Sequence, residues 1–171
     1  MSDGRLTLRN RQRTRVANLR YLRNIATTLL QQLMTTADYD LGVYLVGAPE
    51  MTQLNETFLQ HKGPTDVITF DYSENRKLKL GGSLAIGARN LELPSPALHG
   101  EIFICVDEAI AQARRFRSTW QSELVRYLIH GMLHLQGFDD LGRSDRRKMK
   151  REEARLLRVL GRQFDFRKLA N

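Results

Sequence analysis

The sequence predicts one α+β domain, a mixed sheet with helices packed on it. Three observations predict this. Short β-branched and aromatic runs alternate with apolar stripes at helical spacing over the first part of the chain. The last part holds consecutive helical stretches with no strand between them. No repeat, low-complexity tract or linker divides the 171 residues, which suffice for a single core.

Taken in order, Leu6 and Leu8 alternate with polar neighbours and predict a short strand at 5–9. From Val16 to Met34, Leu19, Leu22, Ile25, Leu29 and Leu33 form one helical stripe, with Arg20 and Arg23 off it. Leu41 to Val46 reads as a buried strand. Pro49 and Glu50 suit a helix start, and Met51, Leu54 and Phe58 share one face of the helix that follows. Lys62-Gly63-Pro64 ends it, and Thr65 to Tyr72 is β-branched and aromatic, hence a strand. Residues 73–99, with Gly81-Gly82, Pro94, Pro96 and the apolar piece Ser83 to Ile86, predict a long loop holding at most a short strand or hairpin. Gly100 to Asp107 is a further strand, with Asp107 placed to cap a helix running to about Phe116. Ser118 is placed to cap the next helix, and Ser144 or Asp145 the last one, which shows Met149, Leu156 and Leu160 on one face and Gly161 at its end.

The charge is unusual. Twenty-seven Lys and Arg against 19 Asp and Glu leave a net +8 and an isoelectric point near 10.1. That excess points to a polyanionic partner. Arg9, Arg11, Arg13 and Arg15 form one basic cluster, and Arg143, Arg146, Arg147, Lys148, Lys150 and Arg151 another. The single cysteine, Cys105, excludes an internal disulfide and sits in an apolar run, as a core residue does. No apolar stretch approaches the ~18 residues of a membrane span, and no signal-peptide core follows Met1. The expected location is the cytoplasm.

The stretch His130-Gly-Met-Leu-His134-Leu-Gln-Gly137-Phe-Asp139-Asp140 carries the chemistry. It puts two histidines at i and i+4 in a strongly apolar run, on one face and one turn apart. Gly137 allows a left-handed helix end, after which Asp139 or Asp140 can close a three-ligand site. Two imidazoles and a carboxylate leave a tetrahedral ion one open position, the arrangement of catalytic zinc, though manganese, iron and nickel also accept these ligands. Metzincin peptidases share this spacing but place a glutamate directly after the first histidine. Here that residue is Gly131, which argues against a peptidase.

The chain resembles the YbeY family of bacterial ribosomal-RNA-maturing endoribonucleases. The resemblance rests on Leu54-Asn55, on Pro64-Thr65-Asp66-Val67-Ile68-Thr69-Phe70, on Gly100-Glu101-Ile102, and on His130 to Asp139. It implies a mixed four-stranded, or slightly larger, sheet packed with about five helices, one of them a zincin-like metal helix, in a single domain over residues 1–171. It implies a zinc-dependent, single-strand-specific endoribonuclease acting on the 3′ end of 16S ribosomal RNA and in ribosome quality control, with the small ribosomal subunit as partner. It places one zinc ion on His130, His134 and position 140, with the two histidines catalytic. Position 140, usually histidine in the family, is Asp140 here, with Asp139 second in line. Many members carry an arginine at the position of Leu59. His61 or Lys62 can face the scissile phosphate in its place, or both can be solvated loop residues. Arg143 and Arg146 are the expected substrate contacts of the second basic cluster, and His99 is expected in a loop. The alternatives are an RNA-binding protein with a structural metal and, less favoured, a zinc peptidase.

Overall fold

The computed structural model describes residues 4–35, 38–73 and 98–170. Four strands lie within them: β1 Arg5–Asn10, β2 Tyr39–Val46, β3 Val67–Asp71 and β4 Leu98–Cys105. They form one sheet in the order β1-β2-β4-β3. β1, β2 and β4 run parallel. β3 runs antiparallel to β4 and forms an edge. The expected mixed sheet is therefore present, and its strands alternate sides. Leu41, Val43, Leu45, Ile102 and Ile104 face one layer, while Phe103 and Cys105 face the other.

Among the described residues five α-helices pack around it: α1 Leu19–Thr28, α2 Ala48–Leu54, α3 Val106–Phe116, α4 Trp120–Leu135 and α5 Arg143–Gln163. α1 and α2 each run on into a π-helical turn, Leu29–Leu33 and Asn55–Leu59. A 3-10 turn, Phe166–Ala170, closes the described chain. α1 and α4 pack their apolar residues against the larger face of the sheet, and α2 covers part of the other. Cys105 is fully buried there, and burial pushes its thiol up to about 11, which makes it a core residue. Among the described residues no helix is long and apolar enough to cross a membrane. Gly81-Gly82, Ser83 to Ile86, Pro94 and Pro96 lie outside the described residues.

The helix starts differ from those expected, for tertiary reasons. α3 begins at Val106 with Cys105 as its N-cap, so Asp107 sits inside the first turn. Its carboxylate instead accepts the Ala48 N–H at 2.6 Å and the Thr14 hydroxyl at 2.9 Å. Because β2 and β4 run parallel, α2 and α3 start side by side, and Asp107 supplies the cap that Gly47 lacks. Thr119, not Ser118, caps α4 by accepting the Ser122 N–H, while the Ser118 hydroxyl donates to Glu123 Oε1 at 2.5 Å. α5 starts after Gly142 with no side-chain cap, and Asp145 lies in its first turn, where its charge suits the helix dipole. Gly161 lies inside α5 rather than at its end.

Two motifs serve the frame. Asn55 is buried, and its Nδ2 donates to the Gly63 carbonyl at 2.8 Å, which ties down the loop that leads into β3. Gly131 lets α4 press on the sheet: a Cβ there would lie 2.7 Å from Ile102 Cγ2 and 3.2 Å from Thr69 Cγ2. A side chain at 131 would thus push α4 off β3 and β4. Gly131→Ala should lower unfolding free energy by about 1–2 kcal/mol, an overpacking cost partly offset by better helix propensity. Chemical denaturation checks this. Gly100→Ala should cost more, because its methyl would meet the rigid Phe70 carbonyl. The reverse ranking would contradict the packing argument.

Candidate metal centre

α4 is apolar on nearly every side, with Leu128, Ile129, Met132 and Leu133 buried around His130 and His134. A polar ring nitrogen in such a place must be paired. His130 Nδ1 lies 3.0 Å from Glu153 Oε2 of α5. His134 Nδ1 lies 3.1 Å from the Phe138 carbonyl. A carboxylate and a carbonyl only accept, so in the neutral rings both Nδ1 atoms carry the proton and both Nε2 atoms present lone pairs. Those Nε2 atoms face each other at 3.1 Å. Two lone pairs at that distance can share a proton or a metal ion.

The turn after α4 delivers the third group. Gly137 adopts φ +101°, a conformation glycine takes without a Cβ penalty. The Phe138 N–H then reaches the Leu133 carbonyl at 3.0 Å and the Gly137 N–H the His134 carbonyl at 2.9 Å, a Schellman motif. The same turn swings the Phe138 carbonyl onto His134. Asp139 spends its Oδ1 on the N–H groups of Asp140 and Leu141, at 2.7 and 3.0 Å. Asp140 Oδ2 comes to 3.8 Å from both His130 Nε2 and His134 Nε2. The three atoms thus form a triangle with sides of 3.1, 3.8 and 3.8 Å. A point equidistant from them lies about 2.1 Å from each, the length of a zinc–nitrogen or zinc–oxygen bond. The donor set fits a divalent ion, and Asp140 rather than Asp139 stands at the third corner.

The electrostatics are asymmetric. Burial opposes protonation of His130, but the Glu153 hydrogen bond and charge outweigh it and hold its pKa above the ordinary value. Burial and the neighbouring His130 hold His134 below it. Behind Glu153, Arg126 lies 3.3 Å from Glu153 Oε1 and 3.3 Å from Glu123 Oε2. One guanidinium thereby pairs with both buried glutamates, Glu123 and Glu153.

A cavity of about 410 Å³ opens beside the histidines, lined by Asp66, Arg126, Tyr127, His130, Asp140, Arg146, Met149, Lys150 and Glu153. Two members of the second basic cluster reach it. Arg146 and Lys150 are one turn apart on α5, and Arg146 Nε donates to the Asp140 carbonyl at 3.1 Å. Arg143, His61 and Lys62 are exposed and are not in its lining. Leu59 ends the π-turn after α2, 46% exposed. His99 lies in β4, not in a loop. Glu153, Arg126 and Asp66 were not singled out from the sequence. Glu153 had a signal, an acid on the same face as Met149, Leu156 and Leu160. Asp66 lies in the stretch 64–70 on which the family resemblance rests, though no spacing ties it to the histidines, and Arg126 had no signal.

The family model described as Endoribonuclease YbeY matches residues 7–161. A protein of Syntrophotalea carbinolica named Endoribonuclease YbeY is 30% identical over 163 residues, 94% of this chain and 99% of that protein. One of the same name from Chlorobium phaeovibrioides is 35% identical over 115 residues, 67% of this chain and 64% of that protein's length. A solution structure from Thermotoga maritima shares the fold, with TM-score 0.60, 24% identity and coverage of 91% of this chain and 88% of that one.

Metal binding at this centre must displace protons from imidazole. Apparent zinc affinity of the chain should therefore fall at least about tenfold from about pH 7.5 to about pH 5.5, the steeper because Glu153 raises the His130 pKa. Calorimetric titration at the two pH values measures it. Glu153→Ala should weaken zinc binding about 10- to 100-fold. A pH-independent affinity would show that the imidazoles do not bind the ion.

Proposed function

The chain belongs to the Endoribonuclease YbeY family, and we propose that it is a zinc-dependent endoribonuclease that cuts single-stranded ribosomal RNA. The observation that carries this is the convergence of His130 Nε2, His134 Nε2 and Asp140 Oδ2 beside a cavity whose mixed lining includes Arg146 and Lys150. In this reading those three atoms hold one zinc ion. When bound, the ion supplies Lewis-acid chemistry, lowering the pKa of water and neutralising charge on a phosphate oxygen. Asp140 in place of a third histidine adds negative charge and makes it a weaker Lewis acid than a three-histidine site would be.

The chain's own groups do the rest. Glu153 and the Phe138 carbonyl keep both rings in the ligand tautomer. Arg146 fixes the Asp140 backbone with Nε, and its guanidinium, on the cavity wall, is the group this reading assigns to the phosphate. Lys150, one turn further along α5, adds a second positive charge on the cavity wall. Groups so placed stabilise charge as it grows on the phosphate. Gly131 offers no side chain to take a proton, which separates this site from the metzincin peptidases.

The positive charge supports an RNA substrate. Each phosphate that Lys or Arg neutralises releases a counterion, so binding should weaken steeply with salt. Action at the 3′ end of 16S ribosomal RNA on the small subunit, in the cytoplasm, is the cellular setting of this reading.

His134→Ala should cut the cleavage rate of single-stranded RNA by at least about two orders of magnitude. RNA affinity should largely persist, because backbone charge supplies most of it. Gel assays of cleavage beside filter binding test both. Chelator should stop the wild-type reaction with circular dichroism unchanged; unfolding on chelation would favour a structural metal. Products ending in 5′-phosphate would indicate attack by water, and a 2′,3′-cyclic phosphate attack by the RNA hydroxyl.

A further inference from the structure

Away from the metal cavity, two large aromatic rings stand exposed near one end of the edge strand β3: Phe58 at 59% and Tyr72 at 41%. Both belong to the sheet face that α4 does not cover. Their placement is not loose. Phe58 meets Phe70 edge-to-face at 5.2 Å, and Phe70 meets Phe103 in the same way at 5.8 Å. Tyr72 meets His99 at 5.7 Å, and its hydroxyl donates to Glu101 Oε2 at 2.8 Å. Each ring is braced from beneath or from the side while much of it stays open. A rigid, exposed aromatic surface is costly in water and binds flat apolar groups with little loss of entropy.

The surroundings point to a nucleic acid. His61 and Lys62 are exposed three and four residues after Phe58. The Glu101 carboxylate beside Tyr72 is taken up by the Tyr72 and Tyr44 hydroxyls, and Asp71 Oδ1 by Ser73. The chain as a whole carries +8. The patch also shares a strand with the metal cavity: Asp66, just before β3, lines the cavity, and Tyr72 follows the strand's other end. At about 3.3 Å per residue the two ends lie roughly 20 Å apart, and because β3 is an edge strand a single RNA strand can pass round it from the α4 face to the aromatic face.

We propose that Phe58 and Tyr72 form a base-stacking subsite for unpaired nucleobases of the RNA strand whose phosphate enters the metal cavity. This rests on the endoribonuclease reading. Stacking requires free base faces, which a duplex withholds, so the subsite accounts for a preference for single strands. It also gives His61 and Lys62 a role at the patch, contacting the backbone between stacked bases, rather than at the scissile phosphate.

The test uses the full chain with zinc, a short labelled oligoadenylate, and the same oligomer made abasic. Phe58→Ala and Tyr72→Ala should each weaken binding of the oligoadenylate about tenfold, while Phe58→Trp binds as wild type does. On the abasic oligomer the wild type and both alanine variants should bind alike. If folded Phe58→Ala and Tyr72→Ala bind the oligoadenylate as tightly as wild type, the subsite is wrong, and loss of self-association or of a protein contact in their place would assign the patch to a protein partner. Cleavage by the wild type separates the two ideas. A chain that cuts RNA but shows no effect of either ring keeps the nuclease reading and loses the subsite. One that binds through the rings without cutting loses the nuclease reading and keeps the subsite. Failure of the wild type to bind single-stranded RNA overturns both.

Discussion

The two Nδ1 hydrogen bonds, from His130 to Glu153 and from His134 to the Phe138 carbonyl, are the constraint on which the centre depends. Two imidazoles in an apolar helix would otherwise be a liability. With each Nδ1 committed to an acceptor, both Nε2 atoms turn inward and the pair becomes a half-built ligand set. Each bond comes from a different part of the fold. One needs α5 to pack against α4, and the other needs only the turn that ends α4. The centre is thus part local and part tertiary.

The tertiary half carries a charge problem with it. Glu153 is buried, and so is Glu123. A buried carboxylate without a partner is expensive. Arg126 stands between them and pairs with both. The chain from Glu123 through Arg126 and Glu153 to His130 therefore ties the apolar core to the cavity wall. Beyond it, α5 divides its basic residues by helical position. Arg146 and Lys150 face the cavity, while Arg143 starts the helix out in solvent. The other basic cluster begins in β1 with Arg9 and continues beyond it, at the opposite edge of the sheet from β3.

Parallel strands explain where local rules misplaced a residue. Asp107 has the composition of a cap for α3, yet it caps α2, because β2 and β4 deliver two helix starts to the same end of the sheet. Gly131 behaves similarly. Its lack of a side chain reads first as an absent general base. In the fold it is also the contact point at which α4 meets Ile102 and Thr69. Position 131 thus bears on both chemistry and packing.

Much was legible in the sequence because its causes are local. Apolar spacing marked the strands and helices, and the i, i+4 histidines with Gly137 marked the helix of the candidate metal centre and its Schellman end. These depend on neighbours within a few residues, which a linear pattern records. The choice of Asp140 over Asp139 turned on a side chain folding back on its own turn, which spacing alone left open. Glu153, Arg126, Asp66 and Lys150 join the centre through contacts between α4, α5 and the approach to β3. Those contacts span long separations in the chain and are set by how the helices pack on the sheet. The sequence alone determined the elements, the residue types of the candidate metal centre and the basic character; only the tertiary structure decided which acids and cations meet the two histidines, because packing rather than spacing brings them together.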